Sequence, residues 1–344
     1  MNMRATINRV PKALTAVLGL LAALALLLSV QGCTTAASAT TTVTGPTQAS
    51  ALKVFNSFVT AQRVAVANHD QLLAEALTSS SQYSVVSSEY LIAAATGREV
   101  TAPTYGKPTL YVPKLTTYPQ WFMVTAPESE NGRAAGTVLM VFDKPDASAP
   151  WAVDGTAMLS QNAPALNVAV KNGYATALRT TDTELAFRPD EVGAMQASVV
   201  DEGPSSPAAS VVAPGSLTTG LYSANAAAAK QASAQGNYYT WELEGTSYPF
   251  FALATRDGGA IVFYTMSMNT STTPVRWSPK RIIPVPDAFK PLLPAHQVRI
   301  TRLLDADSTA QYLAIDPPPA KNGGTTGKLQ VIGTVNVPSY VKGA

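Results

Sequence analysis

The chain is poor in the residues that most enzyme chemistry draws on. Its 344 residues hold one cysteine, Cys33, and two histidines, His69 and His296. A single cysteine excludes a disulfide within the chain, and with so few sulfur and imidazole ligands a thiolate zinc site is excluded too. No Gly-x-Ser-x-Gly elbow and no glycine-rich phosphate loop occurs. Charged residues make up 13% beside 46% hydrophobic ones, a balance that sets the chain apart from disordered sequences. The formal charge of +2 belongs to the start of the chain. Residues 1–32 hold Arg4, Arg9 and Lys12 and no acid, and without them 21 basic residues face 22 acidic ones. No nucleic-acid or other polyanion partner follows from that balance.

What is present begins with an address. After the basic start, residues 13–30 (ALTAVLGLLAALALLLSV) are apolar or small throughout, and Gln31-Gly32-Cys33 follows directly. A basic region, an apolar run and a small-residue exit is the order of an export signal. The run is also just long enough to span a bilayer as an uncleaved anchor. The cysteine decides between the two. Val30-Gln31-Gly32-Cys33 resembles the bacterial lipobox, with Gln31 departing from the usual small or aliphatic residue. The resemblance implies cleavage before Cys33 and a diacylglyceryl thioether on its sulfur. Two acyl chains suffice for stable anchoring to a membrane, where one is marginal. Residues 33–50 then read as the lipidated cysteine and an uncharged Thr/Ala/Ser tether.

The body follows, and its length suits about two domains. A helical stripe runs through Leu52, Phe55, Phe58, Gln62 and Val66, with Ser50 as the N-cap, and breaks at Asn68-His69-Asp70. Residues 80–112 are mixed, with β-prone pieces such as 83–86. Strands are predicted over 121–124, 137–142 and from 151, with turn chemistry at 128–132. The second half repeats the plan. Tyr118-Pro119 through Thr125 matches Tyr248-Pro249 through Thr255, and an Ala-rich helix at 224–234 precedes the second copy. A helix is expected from Asp190, a loop over 203–216, a strand over 298–303 with 311–315 as its partner, and a last strand over 329–335. This predicts an α+β fold of two duplicated modules, residues 51–178 and 179–344, each with helices packed on a curved antiparallel sheet. Such modules resemble cystatin-like and nuclear-transport-factor-like folds. With lipobox, tether and duplicated module together, the chain resembles uncharacterised two-domain lipoproteins of high-GC Gram-positive (actinobacterial) bacteria, a family of unknown function.

Candidate chemistry is sparse. His296 is the nearest thing to a catalytic base, and His69 reads as a turn residue. Glu242 and Glu244 alternate on one strand face and read as a solvated face, with a carboxylate pair of the kind that can act on sugars as the alternative. Asp305 and Asp307 read as a turn between strands, and Asp190-Glu191 as a first helical turn. The basic knot Arg276, Lys280, Arg281 reads as a solvated loop. Trp121, Phe122, Phe250, Phe251 and Phe263 read as strand core or as the wall of an enclosed pocket. No catalytic, metal or cofactor residues are assigned, and Cys33 is the one site. The expected function is a non-enzymatic binding or adaptor role in the cell envelope, at the extracytoplasmic face, with membrane lipid and an envelope protein or small molecule as partners. The alternatives are an enzyme acting on envelope glycans or lipids through strand-face carboxylates, with Glu242, Glu244, Asp257, Asp305 and His296 as candidates, and a structural spacer.

Overall fold

Thr47 starts the folded body. Its hydroxyl accepts from the Ser50 amide while the Ser50 hydroxyl accepts from the Thr47 amide, a reciprocal cap on helix α1, Gln48–Ala67. Ser50 is therefore the third helical residue and not the cap expected from the sequence. The expected tether also ends sooner, since Pro46 is buried and residues 48–50 are helical. The computed structural model describes residues 44–277, 282–294, 297, 299–320 and 324–344. Cys33, the signal segment, Lys280, Arg281 and His296 lie outside the described residues.

The break after α1 is as read. Asn68 closes the helix, His69 turns the chain at φ 51° and Asp70 caps α2, Gln71–Ala76. The next stretch corrects the sequence reading, because residues 83–86 are helical and belong to α3, Ser80–Thr96. Its buried residues are Ser81, Gln82, Val85 and Ser88. That face is helical in spacing but mostly polar, so hydrophobic periodicity does not reveal it. Gly97 ends α3 in the left-handed region at φ 64°.

The strands then follow as β1 (Thr104–Tyr105), β2 (Thr109–Tyr111), β3 (Gln120–Glu130), β4 (Arg133–Lys144), β5 (Ala152–Leu159), β6 (Val170–Lys171) and β7 (Tyr174–Ala175). Asn131-Gly132 and Asn172-Gly173, all at positive φ, turn the β3–β4 and β6–β7 hairpins. Glu128, expected in the first of these turns, lies in β3 instead. Next come α4 (Val192–Glu202) and α5 (Thr219–Ala234), separated by short 3-10 turns where a loop was expected. The last strands are β8 (Asn237–Gly245), β9 (Phe251–Ala254), β10 (Ala260–Pro274), β11 (Leu304–Asp316) and β12 (Gln330–Gly343).

Ten strands form one antiparallel sheet in the order β1-β3-β4-β5-β12-β11-β10-β8, with β2 on β3 and β9 on β10. The α+β class is thus as expected. The central joint is narrow: β5 meets β12 only through Leu159–Gly333 and Met158–Thr334. The described residues form one compact unit. Three main cores support it. Val192, Val199 and Val200 of α4 pack on Tyr264, Met266 and Tyr312. Ala51 and Phe55 of α1 pack on Phe122, Val124, Met140 and Phe142. Between them a third core joins Trp121, Met123 and Leu139 to Phe251, Phe263 and Leu313, so one face of each half of the sheet meets the other. Gly155 on β5 has no room for a side chain because the Phe263 ring occupies that space.

Three further expectations are corrected. The expected strand over 298–303 does not form among its described residues. Ile300 instead packs in a small cluster with Ile283, Leu304 and Val341, and the 301–303 backbone bonds to Ala344. Residues 311–315 lie inside the long strand β11, paired on both sides by β10 and β12. The two Tyr-Pro copies enter different strands. Tyr118-Pro119, a cis bond, leads into β3, and Tyr248-Pro249 leads into the short β9.

Candidate functional site

Helices α1, α2 and α3, strands β1, β3, β4 and β5, the loop after α3 and β12 of the second half border a cavity of ≈ 270 Å³. Helix α1 contributes Phe58, Gln62 and Val66, one residue per turn along one stripe. Helix α3 contributes Gln82, Val85, Val86, Glu89 and Tyr90, which is again a single helical stripe. Ala74, Leu77 and Thr78 close one side, and Val100, Thr101 and Pro103 another. The sheet supplies the floor: Tyr105 of β1, Glu128 and Glu130 of β3, Val138 and Met140 of β4, Val153, Thr156 and Met158 of β5, and Val335 of β12.

Hydrogen bonds hold the roof to the floor. The Tyr105 hydroxyl donates to Gln62 Oε1 at 3.4 Å, and the Thr156 hydroxyl to Gln82 Oε1 at 3.2 Å. Behind Gln82 lies a buried polar network. Gln311 Nε2 and the Thr265 hydroxyl both donate to Ser81 Oγ at 2.9 Å, and Ser81 Oγ donates to the Asp154 carbonyl at 3.2 Å. Gln311 Oε1 accepts from the Thr156 amide at 3.1 Å. Satisfied networks of this kind fix one arrangement of the elements they join. Here they join α3 to strands of both halves.

Three carboxylates reach the cavity. Glu128 is 9% exposed and has no hydrogen-bond or ion-pair partner among the described residues. Burial raises its pKa first, and repulsion from Glu130 adds to that. Glu89 and Glu130 are exposed and stand at the opening. The Glu89 pKa is raised to about 7 by desolvation first, then by Glu130 and Glu128. Solvent reaches its side chain, so screening moderates that shift. Tyr105 is held neutral by burial and by Glu128, and Tyr90 is raised by burial first, with its hydroxyl lacking a partner.

The residues singled out from sequence lie elsewhere. Trp121, Phe122, Phe251 and Phe263 are buried core residues, Phe250 packs on the α4 core, and none lines this cavity. Asp305 and Asp307 are not in a turn. They sit on β11, where Asp307 pairs with Asn269 and Tyr340 and Asp305 with Ser271 and Lys342. Glu242 pairs with Asn269 on the other side. Glu242, Asp305 and Asp307 therefore share an open depression on the sheet face. Burial raises the Asp307 pKa first, with Asp305 and Glu244 adding to it. Asp257 lies apart in the β9–β10 turn, where it accepts from the Thr255 hydroxyl. His69 is exposed in its turn. Asp190 and Arg188 form an ion pair at 2.7 Å before α4. Among the described residues no group of three or more His, Cys, Asp or Glu is placed to hold a metal ion, and no helix is long and apolar enough to cross a membrane.

Comparison with known proteins gives a family without an activity. An uncharacterised lipoprotein of Streptomyces avermitilis is 27% identical over 154 residues, which is 44% of this chain and 44% of that protein. The chain thus aligns with less than half the length of that relative. No solved structure matches. The resemblance to uncharacterised actinobacterial lipoproteins is supported by this relative and by the family itself. A domain of unknown function, DUF8094, matches residues 43–336, and the chain belongs to that family.

Proposed function

We propose that this is an extracytoplasmic lipoprotein, held to the cell membrane by a diacylated Cys33, whose body binds a small ligand in the cavity between α1, α3 and the sheet. The observation that carries the reading is the cavity itself. It is partly enclosed, lined by somewhat more apolar than polar surface and furnished with a few polar groups, the usual make-up of a ligand site, and its volume lies just below the ~300–1,000 Å³ range. The relative named a lipoprotein supports the anchor, as does Val30-Gln31-Gly32-Cys33. The two-module reading is supported by the pairing pattern, since β1 and β2 both pair with β3, β8 and β9 both pair with β10, and β5 and β12 meet in the middle. We read each half as a cystatin-like or nuclear-transport-factor-like module.

The test is native mass spectrometry of protein extracted from its own membrane, beside a Met140→Trp variant that fills the cavity. A co-purifying small molecule lost in the variant supports the reading, as does a diacyl mass on the Cys33 peptide. A bound mass that survives the filling places the ligand elsewhere, and an unmodified Cys33 removes the anchor.

A second reading is an enzyme working on envelope glycans from the depression holding Glu242, Asp305 and Asp307. The raised pKa of Asp307 is what favours it, because a general acid must hold its proton near neutrality. Release of reducing ends from cell-wall glycan, abolished by Asp307→Asn, supports this reading. No release by the wild-type protein ends it.

A further inference from the structure

We infer that the cavity takes a small organic ammonium ion, with its hydrocarbon part among Phe58, Val85 and Met140 and its charged head beside Glu128. This rests on the cavity being the binding site, and it adds the chemical class of the ligand.

The wall is one-signed. Three carboxylates line it, and among the described lining residues there is no lysine or arginine. Glu128 is the sharpest sign. The residue is nine-tenths buried, and no described group donates a hydrogen bond to its carboxylate where it borders the cavity, which disfavours its charged form; a bound N–H cation relieves that directly. The remaining wall is hydrocarbon and neutral amide, which suits an apolar tail. A metal ion fits less well. Its ligands must converge on one point, and Glu89, Glu128 and Glu130 do not form such a group. An ammonium head needs only acceptors spread over a few ångströms. The volume of ≈ 270 Å³ limits the ligand to a short chain or a single ring.

The groups facing Glu128 and Glu89 set the pH dependence. They are Glu130 on β3, Tyr105 on β1 and Tyr90 on α3, with Asp70 acting on Tyr90 from before α2. The cavity residues of α1, β4, β5 and β12 carry no titratable side chain. Both tyrosines stay protonated at neutral pH, so only the carboxylates titrate. Glu89 and Glu128 are both pushed above the ordinary carboxylate range, Glu89 toward about 7 before screening at its exposed side chain moderates the shift, and an alkylammonium of pKa ~10 is charged throughout. Ammonium binding therefore strengthens from pH 6 to pH 8.

The test is calorimetric titration of the full mature chain with hexylammonium, hexanol and hexanoate at both pH values. The expected result is that hexylammonium binds best, about tenfold tighter than hexanol at pH 8, the scale of one charge-assisted contact. That advantage shrinks at pH 6 and is lost in Glu128→Gln, while hexanol still binds the variant and so reports an intact cavity. If hexanol or hexanoate binds as well as hexylammonium, the cavity stands and the ammonium inference falls. Hexylammonium binding that Glu128→Gln leaves untouched also overturns it, by placing the cation elsewhere. If none of the three binds, the cavity reading falls with it.

Discussion

Two helical layers cover the same kind of antiparallel sheet and leave opposite interiors. Under α4, the sheet-facing positions hold Tyr264, Met266 and Tyr312, all at most 2% exposed. These large side chains meet Val192, Val199 and Val200, and the polar link among them, the Tyr264 hydroxyl donating to Gln196 Oε1 at 2.8 Å, is satisfied. Under α3, the helix presents Ser81, Gln82 and Ser88, and the strands present Thr156 and Glu128. Small and polar side chains cannot fill the gap between helix and sheet. A cavity remains, bounded by the hydrogen bonds that keep the roof in place. The difference lies in side-chain volume and polarity, not in the strand arrangement. One interior is built for stability, the other for occupancy.

The comparison breaks most visibly in the filled half. Tyr264→Ala is expected to cost about 3–5 kcal/mol in denaturant unfolding, the range for large aromatic truncations in a packed core. A cost below ~1 kcal/mol shows that this core is not close-packed.

The next effect concerns a buried acid in each half. Asp154 on β5 is fully buried and neither carboxyl oxygen has a partner. The Ser80 hydroxyl lies near enough to moderate its pKa but outside hydrogen-bonding geometry. Asp316 on β11 accepts one bond, from the Phe187 amide at 3.4 Å. Burial raises both to about 7. A raised acid pKa means that the folded state holds the proton more tightly than the unfolded chain. The stability is then full below the unfolded value of ~3.9 and is lost as pH rises toward 7. Asp154→Asn is expected to flatten that decline and to stabilise the protein at pH 8 by about 2–4 kcal/mol. Asp316→Asn gains less, because it leaves the Phe187 amide with a neutral acceptor. Parallel pH–stability curves for wild type and Asp154→Asn contradict the assignment.

The smallest effect lies at the open wall. Val86→Ala deletes two methyl groups that already border empty space, so it is expected to cost no more than about 0.5–1.5 kcal/mol. A larger loss means that this wall is packed.

These contrasts also explain what the sequence could disclose. The α1 stripe through Phe55, Phe58, Gln62 and Val66 is legible because its buried face is hydrophobic, and it carries one side of the cavity. The α3 stripe Gln82, Val85, Val86, Glu89, Tyr90 has the same spacing but mixed polarity, so a search for apolar period passes over it. The hairpin at Asn131-Gly132 is announced by its residues, whereas the joint of β5 with β12 rests on two residue pairs and leaves no local trace. The acids of the cavity come from α3 and β3, about forty positions apart in the chain, so no motif unites them. The strand-face acids were legible one strand at a time: Glu242 and Glu244 alternate, but their approach to Asp305 and Asp307 comes from the β8-β10-β11 order. The Tyr-Pro repeat is real as text, yet its copies enter strands with different partners.

The most direct test of an open half beside a filled one uses methionine methyl groups as reporters. Met140 and Met158 border the cavity, and Met266 and Met268 belong to the α4 core. In methyl-labelled protein titrated with hexylammonium and followed by NMR, the account predicts that Met140 and Met158 shift in a saturable way while Met266 and Met268 stay fixed. Saturable shifts at Met266 and Met268 with Met140 and Met158 unmoved would contradict it.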